Sequence, residues 1–284
     1  MGINENNQLG QFIPLHYHYN MLFDPNRMVG FKEAINYIVK PNDTVLELGS
    51  GTGPMSFFAA QKAKKVISVE FNPELVAESK RLLGLNSNTQ NIQVINDDAS
   101  TFVPNEPVDV VICEMLHVGL LREKQLPVLN LFKENYKSKF DKLPVFIPGA
   151  TLQAVQLVQH DFIFEGYYAP VTLFQDAYTN NPRTVGLSEP VIYHQVVYEE
   201  PYNLTCKCDD TLAITEDGTL NAIRVITKSV LAATPEKIID WFNLHLIVPL
   251  GQEIAVKKGQ QVNIKFEYEG GATLSALQPI ISVL

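Results

Sequence analysis

The chain has 284 residues, of which 46% are hydrophobic and 19% are charged, so it can bury one large core or two smaller ones. Its formal net charge is −9 and it has no run of lysine and arginine, which argues against nucleic acid as a partner. It has three cysteines, and we find neither a signal peptide nor an apolar run long enough to span a membrane. These features predict a soluble, cytoplasmic protein with no membrane partner.

The first half of the sequence alternates between apolar strands and helical patterns. In chain order the strand-like segments are "DTVLELGS", "KVISVE", "IQVINDDA" and "VDVVICEM". The helical segments that follow the first, second and fourth of them are "GPMSFFAAQKA", "PELVAESKRLLGL" and "REKQLPVLNLFKENY". This alternation is typical of parallel strands joined by crossover helices, so it predicts a doubly wound, Rossmann-like α/β sheet.

The second half changes to a period of two. Segments such as "TLQAVQLVQ", "TLNAIRVITKSVL" and "ALQPIISVL" are bounded by turn residues and predict an antiparallel β-barrel or sandwich. Residues 161–183 are rich in aromatics and lack a clear period, so we expect an excursion from the β structure there. We therefore predict two domains, residues 1–147 with an N-terminal helical lid and residues 148–284.

The segment "ELGSGTG" joins the first strand to the first crossover helix. Its glycines, Gly49, Gly51 and Gly53, allow a tight turn that brings backbone close to a ligand. Their spacing, with Glu47 two residues earlier, differs from the G-x-G-x-x-G of pyrophosphate-binding turns. Glu70 ends the second strand, 21 residues after Gly49, which suits an acid that binds ribose hydroxyls. An ammonium group plus an adenosine fits this pattern, so we predict S-adenosylmethionine as the cofactor.

The third and fourth strands end in further candidate site residues. Asp98, followed by Ala99, is placed to accept a hydrogen bond from the adenine amino group, although a solvated turn is also consistent with the sequence. Glu114 follows the fourth strand, and Glu123 lies nine residues later. Two carboxylates in one pocket can orient a planar guanidinium and aim one of its nitrogens at the methyl group. We therefore predict both glutamates as catalytic residues.

Two other groups of chemically reactive residues carry weaker expectations. His117, three residues after Glu114, would be a general base for another acceptor, or else simply packs in the fold. Cys206 and Cys208 have no second cysteine or histidine pair nearby, so no metal site is predicted.

Several separated motifs together resemble the protein arginine methyltransferases. The segment "HYNMLFDPNR" looks like that family's H-x-x-M-L-x-D-x-x-R, matched here by His18, Met21, Leu22, Asp24 and Arg27. The segment "FIPGATLQA" is similar to the family's junction between domains, and "DWFNLHLIVPLGQEIAVKKGQQVNIKF" to its T-H-W loop and last barrel strands. The resemblance covers nearly the whole chain.

This resemblance implies specific roles. Arg27 would pair with the cofactor's carboxylate, Met21 would pack near the reacting methyl group, and Glu70 would bind the ribose. Glu114 and Glu123 would hold the substrate guanidinium. Family members commonly dimerise through an arm inserted in the barrel, so residues 161–183 suggest a homodimer.

The sequence also departs from the family pattern. The family's Ser-Glu-Trp-Met-Gly-Tyr reads "CEMLHV" here, which removes most of the aromatic lining of an arginine pocket. Asp240 stands at the histidine of the T-H-W motif, where it would oppose the carboxylate of Asp24. Phe12 replaces an expected tyrosine, and Ser100 replaces a glutamate that contacts adenine.

These departures leave three functions open. The first is methylation of a protein or peptide side chain, with arginine as the leading acceptor. The second is N-, O- or carboxyl-methylation of a small molecule, for which Glu123 would point away from the pocket. The third is a catalytically silent protein that binds the cofactor and acts as a scaffold.

Overall fold

The structure is a computed structural model, and it describes residues 13–284. The substitution at Phe12 lies outside the described residues. Among residues 13–284, no helix is long and apolar enough to cross a membrane.

The first domain is built on a five-stranded sheet in which all neighbouring strands are parallel. The strand order is β3-β2-β1-β4-β5, which confirms the predicted doubly wound sheet. The order reverses between β1 and β4, and a ligand binds at such a switch point, beyond the carboxyl ends of the strands. The strands are β1 (Thr44–Leu48), β2 (Lys65–Glu70), β3 (Ile92–Asn96), β4 (Val110–Cys113) and β5 (Val145–Ile147).

Within the described part of the chain, five α-helices accompany this sheet: α1 (Leu15–Met21), α2 (Pro25–Ile38), α3 (Pro54–Ala60), α4 (Pro73–Gly84) and α5 (Gln125–Lys139). Local sequence explains where α2, α3 and α4 begin, because each has a proline in its first turn, where no backbone N–H is needed. The side chains of Asp24 and Asn72 cap α2 and α4 by accepting hydrogen bonds from the Arg27 and Glu74 amides.

The second domain consists of antiparallel strands. They are β6 (Ala150–His160), β7 (Ile163–Phe164), β8 (Tyr167–Tyr168), β9 (Leu173–Gln175), β10 (Thr184–Gly186), β11 (Val191–Val197), β12 (Thr205–Ala213), β13 (Gly218–Ala233), β14 (Ile238–Phe242), β15 (His245–Val256), β16 (Gln261–Glu269) and β17 (Ile280–Val283). Seven of them form one sheet with β13 at its centre, and β12, β16 and β17 form another. Among the described residues the pairing does not close into a barrel, so the barrel alternative is not shown.

The excursion expected at residues 161–183 holds only short strands. It contains the two-stranded ribbon of β7 and β8, and β9, which pairs with β15 at the edge of the larger sheet. The segment is irregular between these strands because its aromatic and proline residues provide no alternating face for longer pairing.

Helix α2 joins the two domains. A side chain at Gly30 would meet Leu231 Cδ1 at 3.1 Å and the carbonyl oxygen of Asp240 at 3.4 Å, so glycine lets the helix approach β13 and β14 closely. Phe31, on the same helix, packs edge-on against Trp241 with ring centroids 6.2 Å apart. This packing fixes the start of α2, and with it Arg27, relative to the second domain.

Candidate active site

A cavity of about 350 Å³ lies at the carboxyl ends of the parallel strands. Nearly all of the site residues that the sequence predicted line it: Met21, Arg27, Glu47, Gly49, Gly51, Glu70, Asp98, Ala99, Glu114 and Glu123. Gly53 is not among the lining residues. The sequence placed these residues in the N-terminal segment, at strand ends and in the turns and loops that follow different strands, and the fold brings ten of the eleven together.

The glycine turn after β1 leaves space in the cavity. Gly49 and Gly51 have φ values of 71° and 54°, a left-handed conformation that favours glycine. A Cβ atom at Gly49 would lie 2.8 Å from Met115 Sδ, and one at Gly51 would lie 2.9 Å from His18 Nδ1. Side chains at these positions would therefore clash with cavity-lining groups.

Glycine at position 53 is explained by the packing of two helices. Its φ is 89°, and it directly precedes α3. A Cβ atom there would lie 2.7 Å from Ser79 Oγ on α4. Gly53 thus allows α3 to start close to α4, and we assign it to packing of the turn rather than to ligand contact.

Glu70 holds the glycine turn from the end of β2. Its Oε2 accepts a hydrogen bond from the Gly51 amide at 2.8 Å, and its Oε1 accepts one from the Asn72 amide at 2.9 Å. These two bonds fix the carboxylate at the edge of the cavity. The predicted ribose-binding acid is therefore oriented before any ligand binds.

Glu47 is a buried carboxyl group beneath the same turn, 3% exposed. It accepts a hydrogen bond from Ser56 Oγ. Burial raises the pKa of Glu47 to about 8 in the ligand-free protein, even though the Ser56 bond acts in the opposite direction. A cationic group bound beside Glu47 would favour its ionised form, which suits the ammonium group predicted from the sequence.

Asp98 forms a local turn beyond β3. Its Oδ1 accepts hydrogen bonds from the Ser100 amide at 2.8 Å and from Ser100 Oγ at 2.7 Å. Asp97, in contrast, caps the Asp98 amide and is absent from the cavity lining. Ser100 stands at the position where the family has a glutamate, and its side chain orients Asp98.

Arg27 and Glu114 form a buried ion pair in the wall of the cavity. Arg27 Nε donates to Glu114 Oε2 at 3.0 Å, and Nη2 donates to the same oxygen. Both side chains are 8% exposed. The sequence had assigned Arg27 to the cofactor and Glu114 to the substrate, whereas the structure joins them directly across 87 residues of chain.

Glu123 lines the same cavity as Glu114. Loss of solvent around its carboxyl group, together with the negative charge of Glu114, raises the pKa of Glu123 to about 8. A cation bound beside Glu123 would favour its ionised form.

The two histidines near the site differ in position. His117 is not among the cavity-lining residues, because its Nδ1 donates to the Val118 carbonyl at 3.0 Å and its ring packs against Phe174. Burial lowers its pKa to about 4, so the packing alternative describes it better than the general base. His18 does line the cavity, and its buried Nε2 has no hydrogen-bond partner within the described residues.

Sequence reasoning missed part of the cavity wall. Helix α5 contributes Pro127, Val128 and Leu131, and the segment after β2 contributes Phe71 and Leu75. The sequence could have indicated the contribution of α5, because this helix begins two residues after Glu123 and its first turn therefore lies near that carboxylate.

Asp240 does not oppose Asp24. It forms an ion pair with Lys228 at 2.7 Å, while Trp241 Nε1 donates to Asp24 Oδ2 at 3.1 Å. Trp241 therefore fills the hydrogen-bonding place at Asp24 that the family gives to histidine. Each of the two carboxylates thus has its own partner.

The residues around the cavity fit S-adenosylmethionine. Carboxyl groups at Glu47 and Glu70 suit an ammonium group and ribose hydroxyls, and Gly49 and Gly51 leave space that side chains would fill. The unpartnered Nε2 of His18 is a further polar atom available to a ligand.

Fold and site together define a methyltransferase of the Rossmann-like class. Residues 45–137 match the family model described as "Methyltransferase domain". The protein is a methyltransferase that uses S-adenosylmethionine, and its fold is that of the protein arginine methyltransferases. The Trypanosoma brucei PRMT1 enzyme–prozyme heterotetrameric complex with AdoHcy contains a similar chain, with a TM-score of 0.73 and 16% identity, covering 94% of this chain and 97% of that one.

Several proteins are similar to this chain in sequence, and two of them are described here. An uncharacterized protein of Methanocaldococcus jannaschii is 29% identical over 266 residues, which are 92% of this chain and 95% of that protein. An arginine N(omega)-methyltransferase of Streptomyces achromogenes subsp. streptozoticus is 29% identical over 154 residues, 52% of this chain and 42% of that protein.

Proposed function

We propose that this protein methylates a guanidinium nitrogen of arginine in a protein or peptide. The observation that carries the proposal is that Glu114 and Glu123 line the same cavity as the predicted cofactor residues. Glu123 pointing away from the cavity would have favoured another acceptor. The Streptomyces relative, named for arginine methylation, supports the same acceptor chemistry.

The proposed reaction depends mainly on positioning. S-adenosylmethionine, when bound, supplies an electrophilic methyl group on a sulfonium sulfur. Glu114 and Glu123 bind the planar guanidinium, fix its orientation and draw positive charge away from the nitrogen that is to be methylated. A carboxylate of this pair then accepts the proton that the methylated nitrogen loses.

The ion pair between Arg27 and Glu114 has a consequence for this mechanism. Arg27 and Glu114 neutralise each other in their buried ion pair. A ligand carboxylate that binds Arg27 weakens this pair and leaves Glu114 with unsatisfied negative charge beside Glu123. Cofactor binding would therefore prepare the carboxylates for a cationic acceptor.

A small guanidine compound is the second candidate acceptor. The methionine and leucine after Glu114 replace the family's tryptophan and methionine, and Met115 lines the cavity. This altered lining favours a pocket that differs from one shaped for a protein arginine. Both candidates share guanidinium chemistry, so the size of the acceptor separates them.

The silent-scaffold alternative has less support. Its main argument was the Asp240 substitution, and Asp240 pairs with Lys228 rather than facing Asp24.

We also propose a homodimer that forms through residues 161–183, where Ile163, Tyr167 and Tyr168 are exposed. Sedimentation at several concentrations tests the dimer. The domain boundary after residue 147 and a cytoplasmic location stay predictions.

The test is methyl transfer from labelled S-adenosylmethionine to an arginine-rich peptide, to free arginine and to cell-extract fractions. Wild-type protein is compared with Glu114→Gln and with Glu253→Gln, a control that changes an exposed glutamate on β15. We expect Glu114→Gln alone to lose transfer by about 100-fold or more, since it removes one of the charges that position the acceptor.

Acid hydrolysis of the labelled product identifies the modified group. Methylarginine in the protein fraction supports the first candidate, and methylarginine in the small-molecule fraction supports the second. Label on an oxygen or a carboxyl group would contradict guanidinium methylation, and cofactor binding without any transfer would favour the scaffold.

A further inference from the structure

The two glutamates at the centre of the proposed reaction are joined by a segment with unusual backbone geometry. We call residues 114–123 the glutamate loop. Its Gly119, Leu120 and Arg122 have φ values of 71°, 53° and 59°. The latter two are left-handed residues with side chains, and such a conformation persists only where surrounding contacts impose it.

The contacts that impose it come from the antiparallel domain. The Thr227 hydroxyl on β13 accepts a hydrogen bond of 2.7 Å from the Gly119 amide. The same hydroxyl donates to Gln153 Oε1 at 2.6 Å. Tyr268 on β16 donates its hydroxyl hydrogen to the Gly119 carbonyl at 2.7 Å. Two side chains, from strands in different sheets, therefore hold the backbone amide and the backbone carbonyl of Gly119.

The same two side chains are themselves fixed. Thr227 and Gln153 are fully buried, and Tyr268 is 4% exposed. The Tyr268 hydroxyl also shares a hydrogen bond of 2.7 Å with that of Tyr193. Buried and fully bonded hydroxyl groups cannot move without losing these partners, which makes them rigid supports.

Further bonds fix the rest of the glutamate loop. Asn243 Nδ2 donates to the Leu116 carbonyl at 2.8 Å. The Arg122 amide donates to the Ala272 carbonyl at 2.7 Å, and the Gly271 amide donates to the Leu120 carbonyl at 2.7 Å. The second domain thus contacts the loop between its two glutamates, while the cofactor residues lie on the first domain.

We propose that Thr227 and Tyr268 are positioning residues, which act through Gly119 to set the separation of Glu114 and Glu123 for the acceptor. The inference rests on the proposed guanidinium chemistry for its kinetic part, and on the loop geometry alone for its structural part. Neither residue lines the cavity. Their effect should therefore fall on the acceptor rather than on the cofactor.

The experiment uses Thr227→Val and Tyr268→Phe, each of which removes a hydroxyl group and nearly preserves shape. Thr227→Ser retains the hydroxyl and serves as the rescue variant. Two controls remove buried hydroxyls elsewhere: Thr184→Val, whose hydroxyl bonds His160, and Tyr136→Phe, whose hydroxyl bonds Val108.

The first readout is amide hydrogen exchange of peptides that cover residues 115–124, followed by mass spectrometry. We expect faster exchange in Thr227→Val and Tyr268→Phe, wild-type exchange in Thr227→Ser, and no change at the loop in the controls. Unchanged loop exchange in both hydroxyl-deleted variants would overturn the inference. If Thr227→Val does not fold, Tyr268→Phe decides this point.

The second readout compares acceptor kinetics with cofactor affinity, using an arginine-rich peptide, free arginine and S-adenosylhomocysteine as probes. We expect kcat/KM for the acceptor to fall about 10- to 100-fold, as for a displacement of reacting groups on the order of 1 Å, with unchanged affinity for S-adenosylhomocysteine. Equal losses in Thr227→Ser, or wild-type kinetics despite a loosened loop, would overturn the positioning role.

The two proposals fail in different ways. If the wild-type protein transfers no methyl group to either guanidine acceptor, the proposed function fails, and the exchange measurement still decides whether Thr227 and Tyr268 hold the loop. If the wild-type protein is active and the variants match it in exchange and kinetics, the proposed function stands and this inference fails.

Discussion

Trp241 Nε1 donates a hydrogen bond to Asp24 Oδ2 at 3.1 Å, across 217 residues of chain. The other oxygen of Asp24 accepts the Arg27 amide at 2.9 Å and caps helix α2. A single carboxylate therefore connects the second domain to the first turn of the helix that carries Arg27. The position of this arginine in the active site depends on both domains.

Replacing Trp241 with phenylalanine should destabilise the protein. The substitution retains a ring to pack against Phe31 but leaves Asp24 without its indole donor. We expect the free energy of unfolding to fall by about 2 kcal/mol, the usual range for a hydrogen bond to a charged group. Urea titration measures it. As a control, Asp240→Asn disrupts only the partly exposed pair with Lys228 and should cost less than about 1 kcal/mol. A larger loss in the control would contradict this account.

Gly51→Ala should weaken cofactor binding. The added Cβ atom would meet His18 Nδ1 at 2.9 Å inside the cavity, and it would strain a backbone with φ of 54°. Gly166→Ala is the matched control, because Gly166 has a φ of 86° but no atom within 4 Å of the added Cβ. Calorimetry with S-adenosylhomocysteine should show reduced affinity in Gly51→Ala alone. Equal affinities in the two variants would remove the glycine turn from the binding site.

Glu114→Gln should separate cofactor binding from methyl transfer. In the ligand-free protein the Glu114 carboxylate competes for Arg27 with any ligand carboxylate. A neutral amide competes less, so the affinity for S-adenosylhomocysteine should rise by about 2- to 5-fold, a change below 1 kcal/mol. Arg27→Lys should lower it, since lysine cannot form the bidentate contact. A loss of affinity in Glu114→Gln would mean that Glu114 itself supports the cofactor.

Glu47 and Glu123 should contribute a loss of stability as the pH rises from about 5 to 8. This loss should be clearest above pH 6.5, because buried histidines such as His117, whose pKa is lowered from 6.5 to about 4, act in the opposite direction below it. The pKa values of Glu47 and Glu123 are each raised to about 8 in the folded chain, against an ordinary value of 4.5. Above pH 4.5 the unfolded chain ionises these groups while the folded chain still holds their protons, so ionisation favours unfolding. The penalty grows until the pH passes the folded pKa.

Urea unfolding at a series of pH values measures this effect. Glu47→Gln and Glu123→Gln should each make the decline with pH shallower, whereas Glu253→Gln, on an exposed position, should leave it unchanged. Saturating S-adenosylhomocysteine should reduce the part due to Glu47, because an ammonium group beside it favours the ionised form. An equal decline in all four proteins would assign the pH dependence to other groups.

Much of the cofactor site could be predicted from sequence because its elements are local. The turn containing Gly49 and Gly51 follows an apolar strand, and Glu70 ends the next one. Carboxyl ends of parallel strands meet at one edge of the sheet, so the strand pattern itself brings such residues together. Gly53, which does not line the cavity, illustrates the limit, because a glycine required for helix packing has the same sequence signature as one that contacts a ligand.

The periodicity of the two halves, the tight glycine turn and the acids at strand ends follow from the sequence alone. The tertiary structure alone decided that Arg27 pairs with Glu114, that Asp240 pairs with Lys228 and that Trp241 bonds Asp24. It also decided that Thr227 and Tyr268 hold Gly119. Backbone propensity and periodicity act over a few residues, whereas these contacts depend on strand register and on how the two domains pack, which no short segment encodes.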